Sequence, residues 1–259
     1  MKIVVTGKGG AGKTTVSGAL ARHLARTGHR VVALDCDPGP GLGITLGFGP
    51  QATEAAPAVL NSLVALGHTH NDPDPDPEDL LARFGVDGPD GVRLLVAGRV
   101  EQLKGACVCC GSHSTTRKLF SNLPHEGRIV LADLEAGLND LIWASPQPHD
   151  VVVAVAEPSA KGFEIARRAC ELAETMGVGQ RIVVANRAGE AEAKRLSQLT
   201  GLTAFAIPDD PAVAEADRDG LAPIDADSSS PAMLAVYALA ERLDLTPRSS
   251  VEKAPAANG

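Results

Sequence analysis

The chain has few residues that would suit an aromatic core, a nucleic-acid surface or a membrane. One tryptophan, one tyrosine and five phenylalanines amount to 3% of 259 residues. A core must therefore be built from small aliphatic side chains, and Ala, Val and Leu are plentiful. Lys and Arg number 24 against 32 Asp and Glu, a formal charge of −8. That balance lacks the basic excess with which proteins hold nucleic acid regardless of sequence, so no nucleic-acid partner is expected. No apolar run is long enough to span a bilayer, and MKIVVTGKGG (1–10) lacks the apolar core and cleavage site of a secretory signal. No membrane partner and a cytoplasmic location are expected. Cysteine is scarce too, yet three of the five, Cys107, Cys109 and Cys110, fall within GACVCCGSH (105–113). Thiols stay reduced in the cytosol, so such a cluster points to metal binding or chemistry rather than to a structural disulfide.

The length suits one large α/β domain or at most two small ones. Short apolar runs recur at 2–7, 30–35, 92–98, 128–133, 150–158, 181–187 and 203–208, each β-branched or apolar on both alternations. Helical patterns lie between them, as at 14–28 and 159–177. Buried strands alternating with helices predict an α/β fold: a doubly wound, mostly parallel sheet of about seven or eight strands with helices on both faces. Phe163, Ala166, Cys170, Ala173 and Met176 share one stripe of the 159–177 helix, which makes Cys170 a core residue. Residues 1–246 read as one domain interrupted by a Pro/Asp-rich insert, HTHNDPDPDPED (68–79). Composition favours a solvated loop there over a metal site at His68 and His70. The polar tail 247–259 has no amphipathic face and reads as disordered.

After the first strand comes GKGGAGKTT (7–15), which fits G-x-x-x-x-G-K-[ST] at Gly7, Gly12, Lys13 and Thr14 in the context of strand, loop and helix. Glycines let successive amides turn inward around phosphate oxygens, and the helix adds its positive end. Lys13 is expected on the β- and γ-phosphates and the Thr14 hydroxyl on Mg²⁺. Asp35, Asp37 and Asp133 end strands on the side where open α/β sheets bind ligands. Carboxylates there repel bare phosphate and suit Mg²⁺ or a reacting water. For Asp35, a loop or cap role stands equally open.

With Lys8 directly after Gly7, the loop resembles the deviant phosphate loop of the family of MinD, ParA and nitrogenase iron protein, P-loop NTPases of the SIMIBI type. LDCDPG (34–39), LADLEAG (131–137), VVANRAG (183–189) and AIPDDPAVAEADRDGLAP (206–223) resemble the family's two switches and its base-binding segments. The resemblance implies ATP and Mg²⁺ as cofactors, ATP hydrolysis, and a homodimer in which Lys8 reaches the partner's phosphates. It implies that Asp37 orients the attacking water, that Asp133 supports Mg²⁺ through water and that Gly137 senses the γ-phosphate. The implied nucleotide contacts are Gly9, Gly10, Ala11, Gly12, Lys13, Thr14 and Thr15 in the loop, with Asn186, Arg187 and Pro208 around the base.

The cysteines follow a strand and precede a helical run, which places them at a helix N-terminus. The dipole, with Arg117 and Lys118 nearby, favours thiolate, a ligand for Zn²⁺, Ni²⁺, Cu⁺ or iron–sulfur clusters. A tetrahedral site needs four donors, and a two-fold dimer supplies them as Cys107 and Cys109 from each subunit. Cys110 stands as a substitute ligand and His113 as an outer one. With C-V-C, D-L-E-A-G-L and A-E-P-S, the chain is similar to CooC-type accessory ATPases, which help insert nickel into carbon monoxide dehydrogenase. The resemblance implies a metal-delivery ATPase carrying Ni²⁺ or Zn²⁺ at a dimer interface and serving a client metalloenzyme. It departs from that pattern in Cys110, in Asn139-Asp140 where Glu-His is expected, and in the acidic insert. Two alternatives remain. A MinD/ParA-type positioning ATPase needs a basic amphipathic tail or a basic DNA face. An iron–sulfur reductase needs a second cysteine in 133–146, which has none.

Overall fold

The computed structural model of the chain describes residues 1–69, 72–99 and 108–243. In chain order the elements are β1 (Lys2–Gly7), α1 (Lys13–Arg26), β2 (Val31–Asp35), α2 (Leu42–Leu46), α3 (Gly49–Ala55), α4 (Val59–Ala65), α5 (Pro77–Phe84), β3 (Val86–Asp87), β4 (Arg93–Val96) and α6 (Val108–Asn122). There follow β5 (Ile129–Asp133), α7 (Asn139–Ala144), β6 (Val151–Ala156), α8 (Ala160–Thr175), β7 (Gln180–Asn186), α9 (Glu190–Thr200), β8 (Ala204–Ile207), α10 (Pro211–Asp219), α11 (Pro223–Ala226) and α12 (Pro231–Glu241).

The eight strands form one sheet in the order β3-β4-β2-β5-β1-β6-β7-β8, parallel except for the short β3 at one edge. This is the doubly wound arrangement expected from the apolar runs. The central strands are buried on both faces, so their residues divide between two cores. Ile3, Val5, Ala33 and Leu131 pack with Leu20 and Leu24 of α1 and Val236 of α12. Val4, Leu34, Val130 and Ala132 pack with Phe120 of α6 and Ala166 and Cys170 of α8. Cys170 is 3% exposed in the second core, the place its helical stripe assigned to it.

One expectation needs correction. The acidic insert does not stay a loop to residue 79, because α5 begins at Pro77. The Asp76 carboxylate accepts the Glu78 amide at 2.9 Å and Pro77 opens the helix, the cap and first-position preferences acting together. The insert is also tied down, Asp74 pairing with Lys118 on α6 and Glu78 with Arg128 at 2.8 Å. Lys118 is thus neutralised by Asp74. It stands nine residues beyond Cys109 along α6, about 13 Å of helix. His70 and the tail from residue 244 lie outside the described residues.

At its far end α1 is anchored by Arg22, 2% exposed. Its guanidinium donates to Asp90 at 2.6 Å, to Asp225 at 2.8 and 2.9 Å and to the Leu46 carbonyl at 2.7 Å. Among the described residues no helix is long and apolar enough to cross a membrane.

Candidate functional site

The carboxyl ends of β1, β2, β5, β6 and β7 meet above the middle of the sheet, where the winding reverses direction about β1. The phosphate loop leaves β1 there. Gly7 is required by packing, since a Cβ at this position would stand 2.1 Å from the Val155 carbonyl oxygen on β6. Gly12, at φ +88°, directs the chain into α1, and a Cβ there would lie 2.2 Å from Asn186 Nδ2. The loop is held from two sides. The Ala11 amide donates to the Lys8 carbonyl at 3.1 Å, and Asn186 Nδ2 donates to the Ala11 carbonyl at 2.8 Å. The Arg187 guanidinium donates to the Gly10 carbonyl.

A cavity of about 430 Å³ opens over this loop. Gly9, Gly10, Gly12, Lys13, Thr14 and Thr15 form one wall. Asn186, Arg187 and Pro208 form the other, and Asp37 lies at the rim. These residues come from four separate stretches of sequence, and the strand ends gather them as expected. Val213 and Val236 add an apolar side suited to a flat base. Three expected residues do not line it. Ala11 is fully buried beneath the loop, Asp133 lies below Thr14, and Lys8 turns sideways to Glu157.

Asp133 and Asp35 are adjacent in register on β5 and β2, both 1% exposed. Asp133 accepts the Ser17 hydroxyl at 2.9 Å. Burial pushes its carboxyl up to about 6, while Thr14, Ser17 and the Lys13 charge pull the other way. Burial, followed by the nearby Asp133 charge, pushes Asp35 up to about 7. The hydroxyl of Thr14 beside the Asp133 carboxylate is a hard-oxygen set, which fits Mg²⁺. Asp35 has the cap role left open by the sequence, accepting the Leu42 amide at 2.9 Å and the Asp37 amide at 3.2 Å. The Gly137 amide is engaged by the Gly7 carbonyl at 3.1 Å, so contact with a phosphate requires that bond to open.

Glu157 was not picked out from sequence. It follows β6 directly, accepts the Ser159 hydroxyl at 3.1 Å, and stands 3.9 Å from Arg187. Lys8 and Ser159 hold its carboxyl below the usual range. The signal was present in AEPS (156–159), an acid at a strand's carboxyl end beside the phosphate loop. A second cavity of about 290 Å³ at the opposite edge of the sheet holds Arg30, Arg93 and Arg128. Glu78 and Asp87 sit 2.8 and 3.6 Å from two of these arginines, so charge there is largely matched.

Cys107 lies outside the described residues. Cys109 and Cys110 stand in the first turn of α6, at a helix N-terminus as expected, and their side chains are outside the described set. Among the described residues no group of three or more His, Cys, Asp or Glu is arranged to hold a metal ion. His68 is 4.0 Å from Asp72, a pair and not a cluster.

The family model described as the CobQ/CobB/MinD/ParA nucleotide binding domain matches residues 2–224. The carbon monoxide dehydrogenase accessory protein CooC of Rhodospirillum rubrum is 32% identical over 237 residues, covering 85% of this chain and 88% of that protein. The light-independent protochlorophyllide reductase iron-sulfur ATP-binding protein of Methylorubrum extorquens is 30% identical, over 79% of this chain and 68% of that one. In fold, the septum site-determining protein MinD of Pyrococcus horikoshii, solved with Mg-ADP, superposes with a TM-score of 0.72 at 18% identity, covering 94% of this chain and 96% of that one. The family match runs from the first strand to residue 224, and the chain belongs to the CobQ/CobB/MinD/ParA nucleotide-binding family.

Proposed function

We propose that the chain is an ATP-dependent metal-delivery ATPase that matures a client metalloenzyme. The loop would bind ATP, with Lys13 on the β- and γ-phosphates and the base between Asn186, Arg187 and Pro208. Mg²⁺, held by Thr14 and by Asp133 through water, would offset phosphate charge. Asp37 at the cavity rim would orient the attacking water, and Lys8 would reach the phosphates of a second subunit. ATP would thereby join two copies and bring Cys107 and Cys109 of each into one four-sulfur site for Ni²⁺ or Zn²⁺, with Cys110 as a substitute ligand. Hydrolysis would part the subunits and release the cargo to a carbon monoxide dehydrogenase-like enzyme.

One observation carries this reading: the chain, whose sequence holds Cys107 and Cys109 two positions apart, is related along most of its length to a carbon monoxide dehydrogenase accessory protein. The test is metal content and molar mass, measured together, with and without MgATP. A dimer in MgATP holding roughly one Ni²⁺ or Zn²⁺ per two chains is expected, and Cys107→Ser with Cys109→Ser should lose it. Equal uptake by that double variant defeats the reading. A relative from an iron–sulfur enzyme supports one second reading, a reductase. Anaerobically purified protein that is brown and rich in iron would favour it instead.

A further inference from the structure

The six-residue loop C-D-P-G-P-G (36–41) carries Asp37 from the end of β2 to the start of α2. Cys36, 2% exposed, roots its first residue in the second core, and beyond it come only Asp37, two prolines and two glycines. The Asp37 carboxylate accepts the Gly39 amide at 2.8 Å, a bond inside the loop that does not tie it to the rest of the fold. The residue before it reaches both of its ends. The Asp35 backbone is fixed in the sheet, its carbonyl accepting the Ala97 amide at 2.8 Å, while the next amide, of Cys36, donates to the Asp133 carbonyl at 3.0 Å. Its carboxylate then splits, one oxygen accepting the Asp37 amide and the other the Leu42 amide. Beyond Leu42, the Thr45 hydroxyl lies 3.1 Å from the Thr14 carbonyl and ties α2 to the phosphate-loop helix.

We propose that Asp35 is the positioning residue of Asp37: one buried carboxylate clamps both ends of loop 36–41 and sets where the Asp37 side chain stands over the phosphate loop. The clamp rests on the ATPase reading for its effect on rate, but not for its effect on the loop. Asp35 touches no nucleotide, because it is sealed below the cavity. It acts on Asp37 through the loop it holds.

The test compares ATP hydrolysis and nucleotide affinity in Asp35→Ala, Asp35→Asn and the same changes combined with Asp37→Ala. Asp35→Ala should lower kcat about tenfold or more while nucleotide affinity moves less than about threefold, since misplacing a reacting group costs rate and not phosphate binding. Asn offers one acceptor oxygen in place of two, so Asp35→Asn should fall between. With Asp37 already removed, Asp35→Ala should change the residual rate by less than about twofold, the non-additivity of a residue acting through another. A kcat within twofold of the parent, or a loss that adds in full to that of Asp37→Ala, overturns the proposal. Amide exchange covers a variant that folds poorly and a parent that does not hydrolyse ATP. The Asp37 and Leu42 amides should exchange slowly in the parent and faster in Asp35→Asn. Unchanged exchange overturns the clamp, whereas a parent without hydrolysis but with the exchange difference overturns only the ATPase reading.

Discussion

The Lys8 ammonium is paired with the Glu157 carboxylate of its own chain, side by side with the phosphate loop from which Lys8 projects. Lys8 is about a third exposed and Glu157 about a quarter, so water screens the pair and its worth is modest. Glu157 nonetheless competes for the one cation that the family resemblance assigns to a second subunit.

Replacing Glu157 by Gln removes that competition. Nucleotide-dependent self-association is expected at about two- to fivefold lower protein concentration, the scale of an exposed ion pair. Sedimentation with MgATP measures it, alongside Lys8→Ala, which should stay monomeric. A weaker dimer in Glu157→Gln would mean that Glu157 serves the interface and does not hold Lys8 back.

The two buried carboxylates make stability depend on pH in an unusual direction. Asp35 and Asp133 are raised from 3.8 to about 7 and about 6, so between pH 4 and 7 these two carboxyls bind more protons in the folded chain than in the unfolded one. Their contribution to stability is therefore present at low pH and lost as pH rises through that window. In metal-free protein kept in EDTA, the melting temperature of the parent should drop from pH 5 to pH 7.5 more steeply than that of the Asp35→Asn/Asp133→Asn double variant. Parallel curves in calorimetry refute the assignment.

Gly12 and Gly10 both have positive φ but differ in surroundings. A Cβ at Gly12 meets Asn186 Nδ2 at 2.2 Å, whereas one at Gly10 meets nothing within 4 Å. Gly12→Ala should weaken ATP binding at least about a hundredfold by displacing Asn186 and the loop together, and Gly10→Ala about tenfold or less from backbone strain alone. Titration with a fluorescent nucleotide reads both.

The buried thiols should take no part in metal uptake. Burial raises Cys170 to about 11, and Cys36 is 2% exposed. A raised pKa leaves little Cys170 thiolate at neutral pH and burial shields Cys36 from reagent, so neither residue should react with iodoacetamide at pH 8 until the chain is unfolded. Cys36→Ala with Cys170→Ala should leave the metal-to-protein ratio unchanged, as elemental analysis would show.

Much of this site could be read from sequence because strand ends in a parallel sheet share one edge. Thr14, Asp37, Asn186 and Pro208 are remote along the chain, yet each closes or follows an apolar run, and the edge brings them together. What escaped has local causes. Helices α2, α3 and α4 are five to seven residues long, too short to show a helical period, and β3 is two residues at an edge. Glu157 escaped because its partner is 149 residues away, a contact that no local pattern encodes. The start of α5 was legible after all, as D-P-E-D, but the run of Asp-Pro repeats before it masked the cap.

Arg22 finally bears on where the molecule can respond to a ligand. Pinned by Asp90, Asp225 and the Leu46 carbonyl, the distal end of α1 is a fixed strut against which an anion at the proximal end cannot push. Recoil on ligand arrival or departure must then go into the chain on either side, the stretches after β2 and β5. The first of those stretches carries Asp37, which lines the cavity over the phosphate loop, so the stiffness of one helix turns motion toward that residue.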